Sequence, residues 1–135
     1  MISPHQFLHP ETWKRARGYS NGVAASGRTI YCGGLIGWNA NHQFESDDFG
    51  DQVAQTLRNI VAVLAEAGAK PEHLVRLTWY VTDKKEYLAS LKELGRVYQD
   101  VIGKHYPAMA LVQVVALVED RAKVEIEATA VIPNL

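Results

Sequence analysis

The side chain best suited to chemistry is Glu125, which lies in an alternating segment near the end of the sequence. A carboxylate there could act as a general acid or base, for instance by activating a water molecule. However, polar and apolar residues alternate throughout residues 123–130, which is typical of any strand with one buried face. The residue types alone leave both interpretations open, a catalytic carboxylate and an ordinary strand position.

Several large side chains could contact a small molecule. Tyr19 could donate a hydrogen bond to a ligand or simply pack its ring on a sheet, where tyrosine is common. Trp38 could wall a cleft or anchor an interface, whereas Trp79, in the middle of a predicted strand, is expected in the core or in a subunit contact. Met109 offers apolar surface and a weak acceptor, so we expect it in the core or in a pocket wall.

Other reactive residue types give no comparable signal. Cys32 lies in an apolar strand, where cysteines are usually inert. His5 and His9 are four residues apart, but prolines flank both, so a helical metal-binding pair is not expected. Gly33-Gly34 lacks the context of a nucleotide-binding glycine motif. We therefore expect neither a metal nor a cofactor.

Composition indicates one ordinary globular domain, residues 1–135, with residues 1–16 as an irregular N-terminal arm. Of the 135 residues, 47% are hydrophobic and 21% charged, and the net charge of −1 gives no basic character that would favour nucleic acid. A single cysteine suits a reducing compartment. With no signal peptide or membrane-spanning run evident, we expect a cytoplasmic protein without nucleic-acid or membrane partners.

The first half of the chain reads as a hairpin followed by a helix. Strand-forming residues at 19–25 and 29–35, separated by Ser26-Gly27-Arg28, predict the hairpin. Gly33-Gly34 predicts a bulge, or a close approach of another backbone, in its second strand.

The first helix is predicted from its spacing and its end signals. Asp47 or Asp48 is expected to cap it after the polar loop of residues 39–48. Apolar residues at helical spacing continue from Val53, and Gly68 ends the helix.

The second half of the chain supplies a strand, a helix and two more strands. Residues 74–82 predict the strand, and Asp83 is expected to cap the helix that follows. Residues 110–118 and 123–132 predict two strands joined by a polar turn. The apolar stripe expected on this helix consists of Leu88, Leu91, Val97 and Val101.

The predicted order is ββαβαββ, which indicates an α+β fold with two helices on one face of a mixed sheet. The other sheet face carries many apolar residues, so we expect self-association to bury it.

Three segments together resemble the RidA/YjgF (L-PSP) family of imine and enamine deaminases. They are Gly18-Tyr19-Ser20-Asn21, Tyr106-Pro107-Ala108-Met109 and Val124-Glu125-Ile126-Glu127-Ala128, and the resemblance extends over about residues 17–132. It implies a chorismate-mutase-like fold and a homotrimer. It also implies three clefts at the subunit interfaces, each binding a small molecule.

The resemblance assigns roles to individual residues. Tyr19 matches a cleft tyrosine that would orient the ligand, and Glu125 matches the glutamate that would direct water. Backbone N–H groups near Gly34 would hold developing negative charge. Trp38 is a further candidate for the cleft wall, and Met109 stands where active members carry an arginine that binds the substrate carboxylate.

Other cleft positions also differ from the family pattern. Gly33-Gly34-Leu35 replaces Ser-Gly-Gln, Gly95 stands near the position of an asparagine, and Leu111 replaces a cysteine or another small residue. These changes remove polar groups from the expected cleft.

Loss of the arginine affects the expected ligand. An α-imino acid would bury its carboxylate beside Met109 without a partner, at a cost of several kcal/mol. Such acids are therefore expected to bind poorly unless Arg17, Arg76 or Arg96 reaches the cleft. Otherwise the expected ligand is neutral, aromatic or less charged.

Three functions remain open at this point. The first is a divergent enamine or imine deaminase, or a related small-molecule hydrolase. The alternative is a non-enzymatic binding or sensor trimer that kept the cleft and lost the chemistry. The third is an endoribonuclease, as in the L-PSP name, although no arrangement of His or Lys supplies a phosphate grip.

Overall fold

The computed structural model describes residues 3–134, and its elements follow the predicted α+β layout. The bounds in chain order are β1 (Gln6–Leu8), β2 (Gly22–Ala24), β3 (Arg28–Ile36), α1 (Phe49–Glu66), β4 (Leu74–Val81), α2 (Lys84–Ala89), α3 (Leu91–Val101), β5 (Ala108–Gln113) and β6 (Val124–Ile132), with a short 3-10 helix (Pro71–His73) before β4.

The main sheet has four strands in the order β3-β6-β4-β5. β6 is antiparallel to both β3 and β4, whereas β4 and β5 are parallel. A parallel pair needs a crossover connection, and α2 and α3 provide it. The prediction of an α+β fold with a mixed sheet and helices on one face is confirmed.

The core forms between α1 and the sheet. Asp48 caps α1 by accepting a 2.9 Å hydrogen bond from the backbone N–H of Asp51, and Gly68 follows the helix with a φ of +76°. Both end signals were predicted correctly. The buried face of α1 repeats every three or four residues, so it meets one continuous sheet face. Its fully buried aliphatic residues are Val53, Leu57, Ile60 and Leu64.

The second helical segment differs from the prediction. It is interrupted at Ser90, which separates α2 from α3. Leu88 and Leu91 are 55% and 50% exposed, whereas Val97 and Val101 pack against the core, so only the second half of the predicted stripe faces it. The side chains buried instead are Leu94, Tyr98 and Ile102, spaced four residues apart. Tyr98 was overlooked because the stripe was chosen from aliphatic residues alone.

The predicted N-terminal hairpin is wrong. β2 pairs with β1 in a separate two-stranded sheet, while β3 pairs with β6. The arm is therefore not wholly irregular. Gly27, with a φ of +143°, packs so closely on the backbone of Ile132 that a Cβ would lie 2.8 Å from its carbonyl carbon. Gly27 therefore lies against the end of β6, next to the pair Arg28–Ile132 of the β3–β6 ladder.

The bulge predicted at Gly33-Gly34 is confirmed by a register shift between Cys32 and Leu35. β5, in contrast, ends at Gln113 rather than near residue 118. Because β4 lies between β5 and β6, these two strands are not adjacent, and residues 114–123 connect them as a loop. The predicted polar turn lies within this loop, where the Ala122 backbone N–H donates a 3.0 Å hydrogen bond to the Glu119 carbonyl.

The sheet face away from the helices has mixed polarity, so it is less apolar than predicted, and its burial by self-association stays a prediction. Glu125, Glu127 and Thr129 alternate with the buried residues of β6. The Tyr80 hydroxyl donates a 2.6 Å hydrogen bond to Glu127, and Tyr31 is 80% exposed. Among residues 3–134, no helix is long and apolar enough to cross a membrane.

Candidate functional site

The site candidate is a cavity of about 370 Å³ between α2, α3 and the β5 edge of the sheet. We call it the main cavity. Aromatic and aliphatic side chains form most of its wall, as is usual for small-molecule sites. Its lining residues are Arg17, Gly18, Tyr19, Trp79, Tyr87, Leu91, Leu94, Gly95, Tyr98, Tyr106, Met109 and Leu111.

Strand register places Met109 and Leu111 in this cavity. Met109 pairs with Leu77 and Leu111 pairs with Trp79 across the parallel β4–β5 ladder. Directly paired residues point to the same side of a sheet, and Leu77 and Trp79 are buried on the helix side. Met109 therefore belongs to the cavity wall, as predicted from its side chain.

Tyr19 reaches the cavity through a contact between distant parts of the chain. The Ser20 backbone N–H donates a 3.0 Å hydrogen bond to the Pro107 carbonyl, and the Ser20 hydroxyl donates to the Tyr106 carbonyl. Ser20 also forms a parallel bridge with Ala108. These bonds hold Tyr19 beside the start of β5.

The inner wall is built from stacked, neutral aromatic rings. Tyr98 and Tyr106 stack with ring centroids 5.3 Å apart, and the Tyr98 hydroxyl donates a 2.6 Å hydrogen bond to the His105 carbonyl. Burial raises the pKa of Tyr98, with a smaller contribution from Tyr106, and burial also raises the pKa of Tyr87. Tyr98 and Tyr87 are therefore neutral near pH 7 and add no charge to the cavity wall.

Arg17 is the one charged residue that lines the main cavity. Of the three arginines considered as replacements at position 109, Arg76 and Arg96 are exposed residues outside this lining. Two ion pairs occur within residues 3–134, Arg121–Asp47 at 2.9 Å and Lys123–Glu86 at 3.1 Å. Arg17 takes part in neither.

A second cavity of about 730 Å³, the outer cavity, adjoins the first. Arg17, Gly18, Tyr19 and Tyr106 line both cavities. The outer cavity adds two cations, Arg15 and Lys104, and its lining contains no Asp or Glu.

Glu125 lies on the other face of the sheet. It pairs with Tyr80 across the β4–β6 ladder, whereas its buried neighbour Ile126 pairs with Trp79. A Cβ on Gly34 would lie 2.9 Å from the Glu125 carboxyl carbon. The glycine therefore leaves the space in which this carboxylate sits, and Glu125 and Gly34 form one unit.

Two predicted binding residues lie elsewhere. Leu35 packs against the core. Trp38 follows β3, and its ring stacks on His42 with centroids 4.2 Å apart. The Trp38 carbonyl accepts a 2.8 Å hydrogen bond from Asn59. Neither residue lines the main cavity.

One chain therefore brings only part of the predicted site together. Tyr19, Met109 and Leu111 share the main cavity, while Glu125 and Gly34 form a separate pair on the open face. The sequence prediction missed most of the aromatic wall. The helical spacing of Leu94 and Tyr98 was the available signal, whereas the positions of Tyr87 and Tyr106 depend on contacts that spacing does not reveal.

Comparisons with known proteins agree with this architecture. The family model described as endoribonuclease L-PSP matches residues 11–132. The crystal structure of YyfB from Yersinia pestis, a Rid family protein of unknown function, superimposes with a TM-score of 0.85 at 33% identity, covering 95% of this chain and 98% of that one.

Relatives in sequence carry related names. The human 2-iminobutanoate/2-iminopropanoate deaminase is 30% identical over 114 residues, which cover 84% of this chain and 79% of the relative. A RutC family protein of Aquifex aeolicus is 38% identical over 82 residues, 61% of this chain, and the match spans 62% of that relative's length. The chain therefore belongs to the L-PSP (RidA/YjgF) family.

Proposed function

We propose that this protein hydrolyses imines or enamines in a cleft formed between copies of the chain in a chorismate-mutase-like homotrimer. Family membership and the name of the human relative, 2-iminobutanoate/2-iminopropanoate deaminase, support the reaction type. The geometry of the single chain supports a cleft that needs a second copy.

The observation that carries the proposal is the separation of two half-sites. Tyr19 and Met109 line a cavity on the helix side of the sheet, and Glu125 rests over Gly34 on the opposite side. In one chain, the lining of the main cavity contains no carboxylate, and the Glu125 carboxylate lies outside that cavity. A second copy that brings its open sheet face to the main cavity would complete the site.

In the proposed reaction, water adds to the carbon of the C=N bond. Glu125 takes a proton from the water as the C–O bond forms and gives it to the nitrogen, which produces a carbinolamine. The hydroxyl of the carbinolamine then passes its proton, through Glu125, to the amino group. The C–N bond breaks as the C=O bond forms, which leaves a carbonyl compound and ammonia. Tyr19 orients the ligand, and backbone N–H groups near Gly34 hold the negative charge that develops.

The test measures hydrolysis of imines that an amino-acid oxidase generates in situ from a panel of amino acids. Glu125→Gln is expected to lower turnover by roughly 10²-fold or more, the range for loss of a general acid–base group. Glu127→Gln is the matched control, because Glu127 lies on the same strand face and contacts Tyr80. Equal activity in wild type and Glu125→Gln would remove Glu125 from the mechanism.

The assembly is tested separately by sedimentation analysis of the wild-type protein. The proposal expects a trimer at the concentrations used for the assay. Full turnover by a monomer would show that the second copy is not needed.

A second candidate function is ligand binding without catalysis. It is favoured by Met109 and by the main cavity, whose lining contains no Asp, Glu, Lys or His. A protein of this kind would show no turnover with any imine and would release its bound ligand unchanged.

A further inference from the structure

We propose that the main cavity selects carboxylates that carry a bulky apolar group, and that Arg17 binds the carboxylate in place of residue 109. This inference rests on the proposed use of the cavity as the ligand site, and it specifies the class of ligand.

Positively charged side chains lie at the border between the two cavities. Arg17 lines both, and Arg15 and Lys104 line the outer one, while neither lining includes an Asp or Glu. Positive charge is therefore unbalanced at the mouth of an apolar cavity. A guanidinium is permanently charged and binds a carboxylate through two parallel hydrogen bonds, so Arg17 is suited to hold an anionic group there.

Apolar side chains form the interior of the main cavity. Met109 and Leu111 form the wall on the sheet side, and Tyr98 and Leu94 form it on the helix side. A carboxylate placed among these residues would lose its hydration without gaining a partner. An aromatic ring in the same place gains by leaving water and by stacking on other rings.

Gly95 provides room for such a group. It lies within α3 and lines the main cavity, and a Cβ at this position would meet no other atom within 4 Å. Any other residue at this position would extend a side chain from α3 and narrow the cavity.

The test is calorimetric titration with three unreactive probes, 3-phenylpropanoate, its neutral amide 3-phenylpropanamide, and propanoate. Wild type is expected to bind 3-phenylpropanoate at least about tenfold more tightly than either other probe, because only this probe has both the charge and the ring. Arg17→Gln should reduce binding of the acid by about tenfold and leave the amide unaffected.

Arg96→Gln is the matched control, since Arg96 is an exposed cation of α3 outside both linings. It should bind all three probes as wild type does. Thermal unfolding of Arg17→Gln, an exposed position, should match wild type and show that the variant is folded.

Equal affinity of wild type for the acid and its amide would overturn the role of the carboxylate. Unchanged binding of the acid by Arg17→Gln would overturn the role of Arg17, and equal binding of propanoate would overturn the apolar selection. Turnover of small imines without binding of 3-phenylpropanoate would refute this inference alone. Binding of 3-phenylpropanoate without any imine turnover would refute the proposed reaction alone.

Discussion

Gly95→Ala is expected to stabilise the protein although it alters the candidate site. Glycine in a helix interior costs roughly 0.5–1 kcal/mol relative to alanine, because its backbone loses more freedom on folding. Gly95 is inside α3 and is absent from the glycines with positive φ, so alanine fits its backbone. A Cβ there meets nothing within 4 Å, so no clash offsets the gain.

The expected increase in the free energy of unfolding is therefore about 0.5–1 kcal/mol, or a rise of roughly 2–5 °C in Tm for a chain of this size. Chemical denaturation at one fixed protomer concentration measures it, since unfolding of an assembly depends on concentration. Gly95→Leu should fill part of the cavity and weaken binding of 3-phenylpropanoate.

Gly37→Ala is the control with the opposite sign. Its Cβ would lie 2.6 Å from the backbone carbonyl oxygen of Gln52 in α1, and this backbone cannot move aside as a side chain can. We expect this variant to lose stability. If Gly95→Ala also lost stability, the space beside Gly95 would be filled in the folded protein, and the argument for an open cavity would fail.

Two further predictions concern charge. Met109→Arg should restore a carboxylate-binding group inside the cavity and increase hydrolysis of imines from short amino acids such as alanine, and no increase in the oxidase-coupled assay would contradict this. Burial lowers the pKa of His105, which the hydrogen bond to the Leu74 carbonyl opposes in part. The unfolded chain therefore binds more protons, so stability is expected to fall as pH drops below about 6.5, the ordinary value for histidine. Denaturation between pH 7.5 and 5 should show a shallower decline in His105→Gln, and equal slopes would refute the assignment.

Local signals in the sequence predicted the ends of the helices well. Asp48 and Asp83 cap α1 and α2 as expected, and Gly68 follows α1. These caps join residues two or three positions apart, so the local sequence contains the necessary information. The partner of β3 cannot be inferred from such local signals, because the β3–β6 ladder joins residues that are distant in the sequence, such as Arg28 and Ile132.

For the candidate site, too, the sequence predicted local features but not the pairing of distant strands. The alternation along β6 separates Glu125 from the core-facing Ile126. The side of the sheet that Met109 faces follows from its pairing with Leu77, and no spacing within β5 reveals that pairing. The sequence therefore suggested Tyr19, Met109 and Glu125 as candidates, but it could not reveal that the sheet separates Glu125 from the other two.

Gly95 and Met109 both differ from the family pattern and both line the main cavity, and the two differences favour the same kind of ligand. Gly95 adds space to the main cavity, and Met109 makes its interior apolar where the family resemblance leads one to expect a charge. Arg17 supplies positive charge at the border with the outer cavity instead. A short imino acid cannot place its carboxylate at this border and also fill the interior, whereas a longer ligand with an aromatic group can do both. Imines from phenylalanine and other large apolar amino acids should therefore be hydrolysed in preference to the imine from alanine. The opposite preference in the coupled assay would refute the placement of positive charge at the border and of apolar space in the interior.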